Sequence, residues 1–335
     1  MNYLYDLGIS IVLFMQNLGG WLTGPMKFFS FMGTAEFYFL IMPVLYWSID
    51  ATLGLRIGII LLVSDGVNYI LKVGFHTARP FWLGRQVKSF AFEYTFGMPS
   101  GHAQSSAAVF GLLAASLKRR WVWVVSLILI FLIGVSRIYL AVHFPHDVIV
   151  GWIMGFSIVW VFLRVEKPVT DWLANQTPGI SILAAFTFSL AILILGLIVR
   201  IIAIEWQLPL TWVENARLAF PNEELINPFK ITALLRTCGV LFGFSAGGLW
   251  LSARGGFSAQ GSWWKRILRF LIGVVGVVIL WMGLGAIIPD QDNILGYTLY
   301  YTWYAVIGLW ISALAPIVFM RLNLAQPKIE KDPVG

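Results

Sequence analysis

Met98-Pro99-Ser100-Gly101-His102 opens the decisive stretch of this chain, and Ser136-Arg137 followed by His143-Phe144-Pro145-His146-Asp147 closes it. Between them lie two apolar runs, at about 102 to 117 and 121 to 140, separated by Lys118-Arg119-Arg120. Each run is close to the roughly 20 residues with which a helix crosses a bilayer. His143 and Asp147 are four residues apart. If Asp147 opens a helix whose first turn includes or abuts His143, its carboxylate can accept a hydrogen bond from one imidazole nitrogen and leave the other free to attack. His102 follows Ser100-Gly101, where a glycine lets the backbone approach an anion and the next helix offers unpaired N–H groups. Two histidines and an anion cradle point to phosphoryl transfer.

Outward from this stretch the chain stays apolar. Of 335 residues, 59% are hydrophobic and 12% charged, and the mean hydropathy is +0.81, which excludes a soluble domain of this size. The expected fold class is all-α, a polytopic membrane helical bundle. Spans are expected at about 26 to 48, 52 to 74, 102 to 117, 121 to 140, 147 to 164, 180 to 202, 229 to 252, 267 to 288 and 298 to 320, about nine transmembrane helices. An amphipathic helix over 3 to 22 precedes them, with Leu4, Ile9, Leu13 and Trp21 as apolar anchors and Asp6, Gln16 and Asn17 as polar positions. The expected organisation is an amphipathic segment at 1–25, a catalytic helical core at 26–166, further helices of the same membrane domain at 167–321, and a cytoplasmic tail at 322–335.

Charge sets the orientation. Lys118, Arg119, Arg120, Arg164, Lys167, Arg254, Lys265, Arg266, Arg269, Arg321, Lys328 and Lys331 fall on alternate connections and the C-terminus, which the positive-inside rule assigns to the cytoplasm. The loop of Pro289, Asp290 and Asp292 has no Lys or Arg. The N-terminus is therefore expected outside, and both motif-bearing connections, 75 to 101 and 141 to 146, on the outer face. The net charge of +7 serves orientation and an anionic substrate rather than nucleic acid. The single cysteine, Cys238, lies in an apolar run and supports neither a disulfide framework nor a cysteine metal site. Four histidines without HExxH-like spacing or clustered carboxylates give no metal site, and no cofactor is expected.

Two further cations complete the constellation. Lys72 ends the span before the motif, and Arg79-Pro80 follows after six intervening residues. With Arg137 they would set three fixed cations around a phosphate, the arginines in bidentate geometry and the lysine as a point charge. Lys72-x6-Arg79-Pro80, Pro99-Ser100-Gly101-His102 and Ser136-Arg137-x5-His143-x3-Asp147 together resemble the three-part signature of the type 2 phosphatidic acid phosphatase superfamily, with all positions matched in order. The resemblance implies that His143 is the nucleophile, forming a phosphohistidine, and that Asp147 orients it. It further implies that His102 is the general acid and that Lys72, Arg79, Ser100, Gly101 and Arg137 bind the phosphoryl oxygens. Such roles suit the chemistry: an alkoxide leaves poorly without a proton donor, and three cations with helix N–H groups can hold the equatorial oxygens without a metal.

Finer similarities diverge. Arg137-Ile138-Tyr139-Leu140-Ala141, His143-Phe144-Pro145-His146, Asn227-Pro228-Phe229, Leu234-Leu235-Arg236 and Gly239-Val240-Leu241-Phe242-Gly243 are similar to the glucose-6-phosphatase family. Ser48-Ile49-Asp50 and Phe92-Glu93-Tyr94 resemble sphingosine-1-phosphate phosphatases. Asp65 and Asn68, one turn apart in the span that ends at Lys72, are candidates for tuning that lysine, and His76 for touching substrate. The loop 81 to 96 carries Phe81, Trp82, Phe90, Phe92, Tyr94 and Phe96, a row that would guide a lipid tail, with Arg85 and Lys88 to attract its headgroup or hold a second phosphate.

The function expected from all this is metal-independent hydrolysis of a lipid phosphate or polyprenyl diphosphate on the non-cytoplasmic face, with the phosphorylated substrate and membrane lipids as partners. The alternatives are hydrolysis of a soluble sugar phosphate, phosphoryl transfer to another acceptor, and a channel, transporter or scaffold with a decayed site, against which the intact motifs stand. The membrane would be the cell membrane in a bacterium and the endoplasmic reticulum in a eukaryote. Protease or cysteine labelling from the cytoplasmic side is expected to reach the connection from Arg254 to Lys265 and to miss residues 81 to 96; the reverse pattern would refute this topology.

Overall fold

A computed structural model describes residues 3–288 and 293–328. Pro289, Asp290, Asp292 and Lys331 lie outside the described residues. In hydrocarbon every backbone N–H and C=O must be satisfied within its own segment, so apolar runs become helices. The helices are α1 (Tyr3–Asn17), α2 (Thr23–Phe31), α3 (Ala35–Val44), α4 (Ala51–Phe75), α5 (Pro80–Leu83), α6 (Gly101–Leu117), α7 (Arg120–Tyr139), α8 (Pro145–Ala174), α9 (Pro178–Ala203), α10 (Leu210–Ala219), α11 (Thr232–Ser252), α12 (Trp263–Gly285), α13 (Ile294–Leu309) and α14 (Ala315–Arg321). The extended structure among the described residues is one antiparallel pair of two-residue strands, Phe257–Ser258 and Gln326–Pro327. The all-α membrane architecture expected from composition is therefore what the chain adopts.

Among the described residues seven helices are long and apolar enough to cross a membrane, or eight if the bent pair Tyr3–Asn17 and Gly20–Phe31 is one span. The nine expected spans differ from this mainly in two places. α6 has 17 residues, and the expected span at 26 to 48 is broken at Met32-Gly33-Thr34. There the Thr34 hydroxyl accepts from Phe37 N (3.3 Å) and starts a new helix. The expected amphipathic helix ends at Asn17 rather than at 22, and Gln16 turns inward, its Nε2 donating to Lys88 O (2.7 Å) and Tyr139 O (3.1 Å).

The chain forms two compact units, each discontinuous in sequence. The first comprises Met1–Tyr38, Val67–Val161 and Leu195–Lys230 and holds every motif. Its central seam joins α6 to α8. Gly151 and Gly155 lie one turn apart on α8, and a Cβ on Gly151 would stand 2.8 Å from Ser100 O and 3.0 Å from Ala103 Cβ. Small residues on both helices let the backbones approach closely. That approach lets Ser100 N donate to Asp147 O at 2.9 Å, which ties the second motif to the third. Beside the seam Phe81, Trp82, Phe96 and Tyr139 form a buried aromatic core with Ala216 and Ile226.

The second unit comprises Phe39–Gly66, Phe162–Ile194 and Ile231–Gly335. Two π-helical turns, Leu45–Ile49 and Trp310–Leu314, organise its core. Such turns displace carbonyls from the ordinary helical ladder, and those of Ser312 and Ile311 accept from Tyr46 Oη (2.7 Å) and Trp47 Nε1 (2.8 Å). Arg56 and Glu166 form an ion pair there, closed by a second bond of 2.7 Å from Nη2 to Oε2.

Gly151→Val is expected to force α6 and α8 apart, since the obstructing atom is a backbone oxygen, and to cost about 1–3 kcal/mol. A lowered melting temperature in detergent together with lost phosphatase activity would show it; a variant with native activity would contradict the seam.

Candidate active site

Three connections converge on His143. The first leaves α4, whose last turn carries Lys72, and reaches Arg79 just before α5. Thr77 pairs this connection with the second: Gly97 N donates to Thr77 O (2.9 Å) and Met98 N to Thr77 Oγ1 (2.7 Å). Ser100 then caps α6, its hydroxyl accepting from Ala103 N at 3.4 Å. The Gly101 and His102 N–H groups fall in the first turn, which has no intrahelical acceptors. A Cβ on Gly101 would lie 3.1 Å from Asn68 Oδ1, so a side chain there would push the Asn68 amide back by a few tenths of an ångström. In the third connection Arg137 O accepts from Val142 N (3.2 Å) and His143 N (3.3 Å), folding the histidine back over the end of α7.

His143 is 1% exposed. Its Nδ1 lies 3.3 Å from Asp147 Oδ2, and the same oxygen accepts from Phe144 N at 2.9 Å. Its Nε2 lies 3.2 Å from Arg79 Nη1. The four-residue spacing thus makes the contact expected of it. Burial, then the charges of Arg79, Lys72 and Arg137, hold the imidazole well below the usual histidine range. It is therefore neutral near pH 7, the state in which a ring nitrogen has a lone pair to give.

All three cations are buried, and backbone carbonyls aim Lys72 and Arg79. Lys72 Nζ donates to Phe96 O (2.5 Å) and Gly97 O (3.2 Å). Arg79 Nε donates to Thr95 O (2.6 Å), Nη1 to Val142 O (2.8 Å), and Nη2 to Thr95 Oγ1 (2.9 Å) and Phe96 O (3.2 Å). Arg137 Nη1 donates to Ser30 Oγ at 2.5 Å. Within this group of side chains two buried nitrogens, His102 Nε2 and Arg137 Nε, have no hydrogen-bond partner among the described residues.

The sequence missed Glu93 as a member of this group. Its Oε1 accepts from Arg137 Nη2 and its Oε2 stands 3.4 Å from Arg79 Nη2. Burial alone would raise its carboxyl, but Arg79 and Arg137, with His102 and Lys72, pull it down to about 2. Thr95 and Ser30 were missed as well, since each acts through a neighbour's guanidinium. The only signal for Glu93 was a lone carboxylate in an otherwise aromatic and basic loop.

The other candidates make contacts of their own. Asn68 Nδ2 bonds Gln104 Oε1 (2.9 Å) and Pro99 O (3.3 Å), supporting the Pro99–Gln104 turn rather than Lys72. Asp65 is partly buried on α4, within the second unit. His76 Nδ1 bonds Val73 O (3.1 Å), and its ring packs on Trp206 with centroids 4.9 Å apart. His146 Nε2 lies 3.3 Å from Asp147 Oδ1 while its ring stacks on Phe144. Phe81, Trp82 and Phe96 are buried in the core, not laid out as a guide for a lipid tail. Arg85 Nε bonds Asn215 Oδ1 (3.0 Å), and Lys88 lies over the Phe90 ring.

A buried histidine–aspartate pair beside buried cations suits a membrane phosphatase, and comparison with known proteins agrees. Residues 53–171 match the PAP2 superfamily and residues 235–327 the transmembrane extension of PAP2 superfamily phosphatases. The chain belongs to the PAP2 superfamily, as its three motifs implied. It is 24% identical over 362 residues to glucose-6-phosphatase 2 of Homo sapiens, covering 94% of this chain and 96% of that one. To glucose-6-phosphatase catalytic subunit 1 of Felis catus it is 24% identical over 368 residues, 98% of each chain. Among solved structures, the PAP2-type phosphatidylglycerolphosphate phosphatase of Bacillus subtilis matches at 21% identity with a TM-score of 0.44, over 50% of this chain and 89% of that one.

Held near 2 in the folded protein against about 4.3 in an unfolded chain, Glu93 adds stability that is complete above about pH 4.3 and lost as the pH falls towards 2. The melting temperature in detergent is expected to fall below about pH 4, and Glu93→Gln to flatten that fall. Acid slopes identical in the two proteins would contradict the pairing.

Proposed function

We propose that the protein hydrolyses a phosphate monoester through a phosphohistidine on His143. The observation that carries this is the placing of His143 Nε2 beside Arg79 while Nδ1 faces Asp147. Nδ1–H donates to the carboxylate, which fixes the tautomer with its lone pair on Nε2. Nε2 attacks phosphorus, the P–N bond forms, and the bond to the ester oxygen breaks. His102 gives its proton to that oxygen, and the alcohol leaves. Its unpartnered Nε2 suits this role, since the charge of an arriving phosphate favours a protonated imidazole beside it. Water then attacks the phosphorus, neutral His102 takes its proton, the P–N bond breaks, and phosphate leaves with His143 restored. Lys72, Arg79, Arg137 and the N–H groups at the start of α6 would hold the equatorial oxygens. Ser100 contributes through its cap of α6, since its backbone N–H is engaged by Asp147 O.

For the substrate we favour a small sugar phosphate over a lipid phosphate. The similarity to glucose-6-phosphatases runs through nearly the whole chain. The case for a lipid rested on an open aromatic row, and Phe81, Trp82 and Phe96 are instead core. A diphosphate is disfavoured because Arg85 and Lys88 are engaged elsewhere. Charge distribution supports a site on the non-cytoplasmic face.

The purified chain is expected to hydrolyse glucose 6-phosphate in preference to phosphatidic acid or a polyprenyl diphosphate, to survive chelators and to be inhibited by vanadate. His143→Ala is expected to lose turnover while folding normally, and His102→Ala to lose roughly 10²–10⁴-fold. Chelator sensitivity or an active His143→Ala variant would refute the mechanism. Turnover of lipid phosphates alone would restore them as the substrate.

A further inference from the structure

Glu93 lies outside the three motifs, yet it contacts the two guanidiniums assigned above to the substrate phosphate. A carboxylate meets arginine as a phosphate does, with paired anionic oxygens against paired N–H groups. The bonds of Arg79 sort by length. Those to Thr95 O and Val142 O, at 2.6 and 2.8 Å, fix the guanidinium from behind. Those to His143 Nε2 and Glu93 Oε2, at 3.2 and 3.4 Å, are among its longest and adjoin the reacting nitrogen. Arg137 is anchored by Ser30 through Nη1 and gives Nη2 to Glu93. The arginine side chains are 1% and 3% exposed and that of Glu93 is 24%. The cations are fixed, while the carboxylate has an open side.

We propose that Glu93 is an internal counter-anion of the phosphate cradle, which pairs with Arg79 and Arg137 in the unliganded protein and yields them to the substrate's phosphate. It then competes with product phosphate for the same N–H groups and so sets how tightly inorganic phosphate is retained. The proposal rests on the assignment of Arg79 and Arg137 to the substrate. Two buried guanidiniums without an anion would carry a large desolvation penalty. Exchanging one anion for another keeps the buried charge nearly constant. Glu93 is in this sense a positioning residue, for it acts on the reaction through the arginines.

The test uses the full chain in detergent, with Glu93→Gln and Glu93→Asp. The readouts are inhibition constants for orthovanadate and inorganic phosphate, and kcat and KM on p-nitrophenyl phosphate. Glu93→Gln removes the competing charge and is expected to tighten both anions by about tenfold or more, to lower KM, and to lower kcat as phosphate release slows. Glu93→Asp keeps the charge on a side chain too short to span both guanidiniums, and is expected to tighten the anions by a smaller factor. Unchanged or weaker anion binding by folded Glu93→Gln would overturn the proposal and leave Glu93 a fixed support. If the Gln variant does not fold, Glu93→Asp decides, and a vanadate constant equal to or weaker than wild type overturns the proposal. A wild-type enzyme insensitive to vanadate would instead refute the assignment of the cradle itself.

Discussion

Three cations held inside a membrane-embedded helical protein are the constraint on which its first unit is built. An unpaired buried charge is too costly to keep, so Lys72, Arg79 and Arg137 must each be met from nearby. Carbonyls of residues 95 to 97 and of Val142 meet most of the demand, and Glu93 and Asp147 supply the negative charge. The irregular path from Glu93 to Gly97 follows from this. A regular helix would spend its carbonyls on its own N–H groups and leave none for the cations.

The same constraint accounts for the order of elements around the site. The carbonyls must come from a segment pinned at both ends. Thr77 pins it to the end of α4, and the Ser100 cap pins it to α6. The seam of small residues between α6 and α8 then brings Asp147 and His143 to the other side of Arg79. Local sequence, backbone hydrogen bonding and helix packing thus converge on one guanidinium.

Much of this was legible beforehand because the motifs are local. Lys72, Arg79, Ser100, Gly101, His102, Arg137, His143 and Asp147 announce themselves by short spacings, and the structure gathers them in one unit. Long apolar runs likewise gave most helices to within a few residues. Glu93 was illegible because its partners lie 14 and 44 residues away, and pairing through folded space leaves no periodicity. The break at Met32-Gly33-Thr34 was hidden inside an apolar run, since mean hydropathy does not register a single capping hydroxyl. Within the aromatic loop Phe81, Trp82 and Phe96 turn out to be core rather than an open guide, because aromatic residues look alike in sequence whether they face lipid or each other.

Asn215 ties the arrangement to a distant stretch of chain. Its side chain donates to Trp82 O at 2.9 Å and accepts from Arg85, while Trp206, Trp212 and Phe229 pack on the same aromatic core. These residues fall between the two matched family segments, 53–171 and 235–327. The chemistry and the mounting of the loop that borders it therefore reside in separable stretches of chain. A substitution in the intervening stretch can thus shift the footing of the loop that borders the site while leaving the histidine, its aspartate and the three cations as they are.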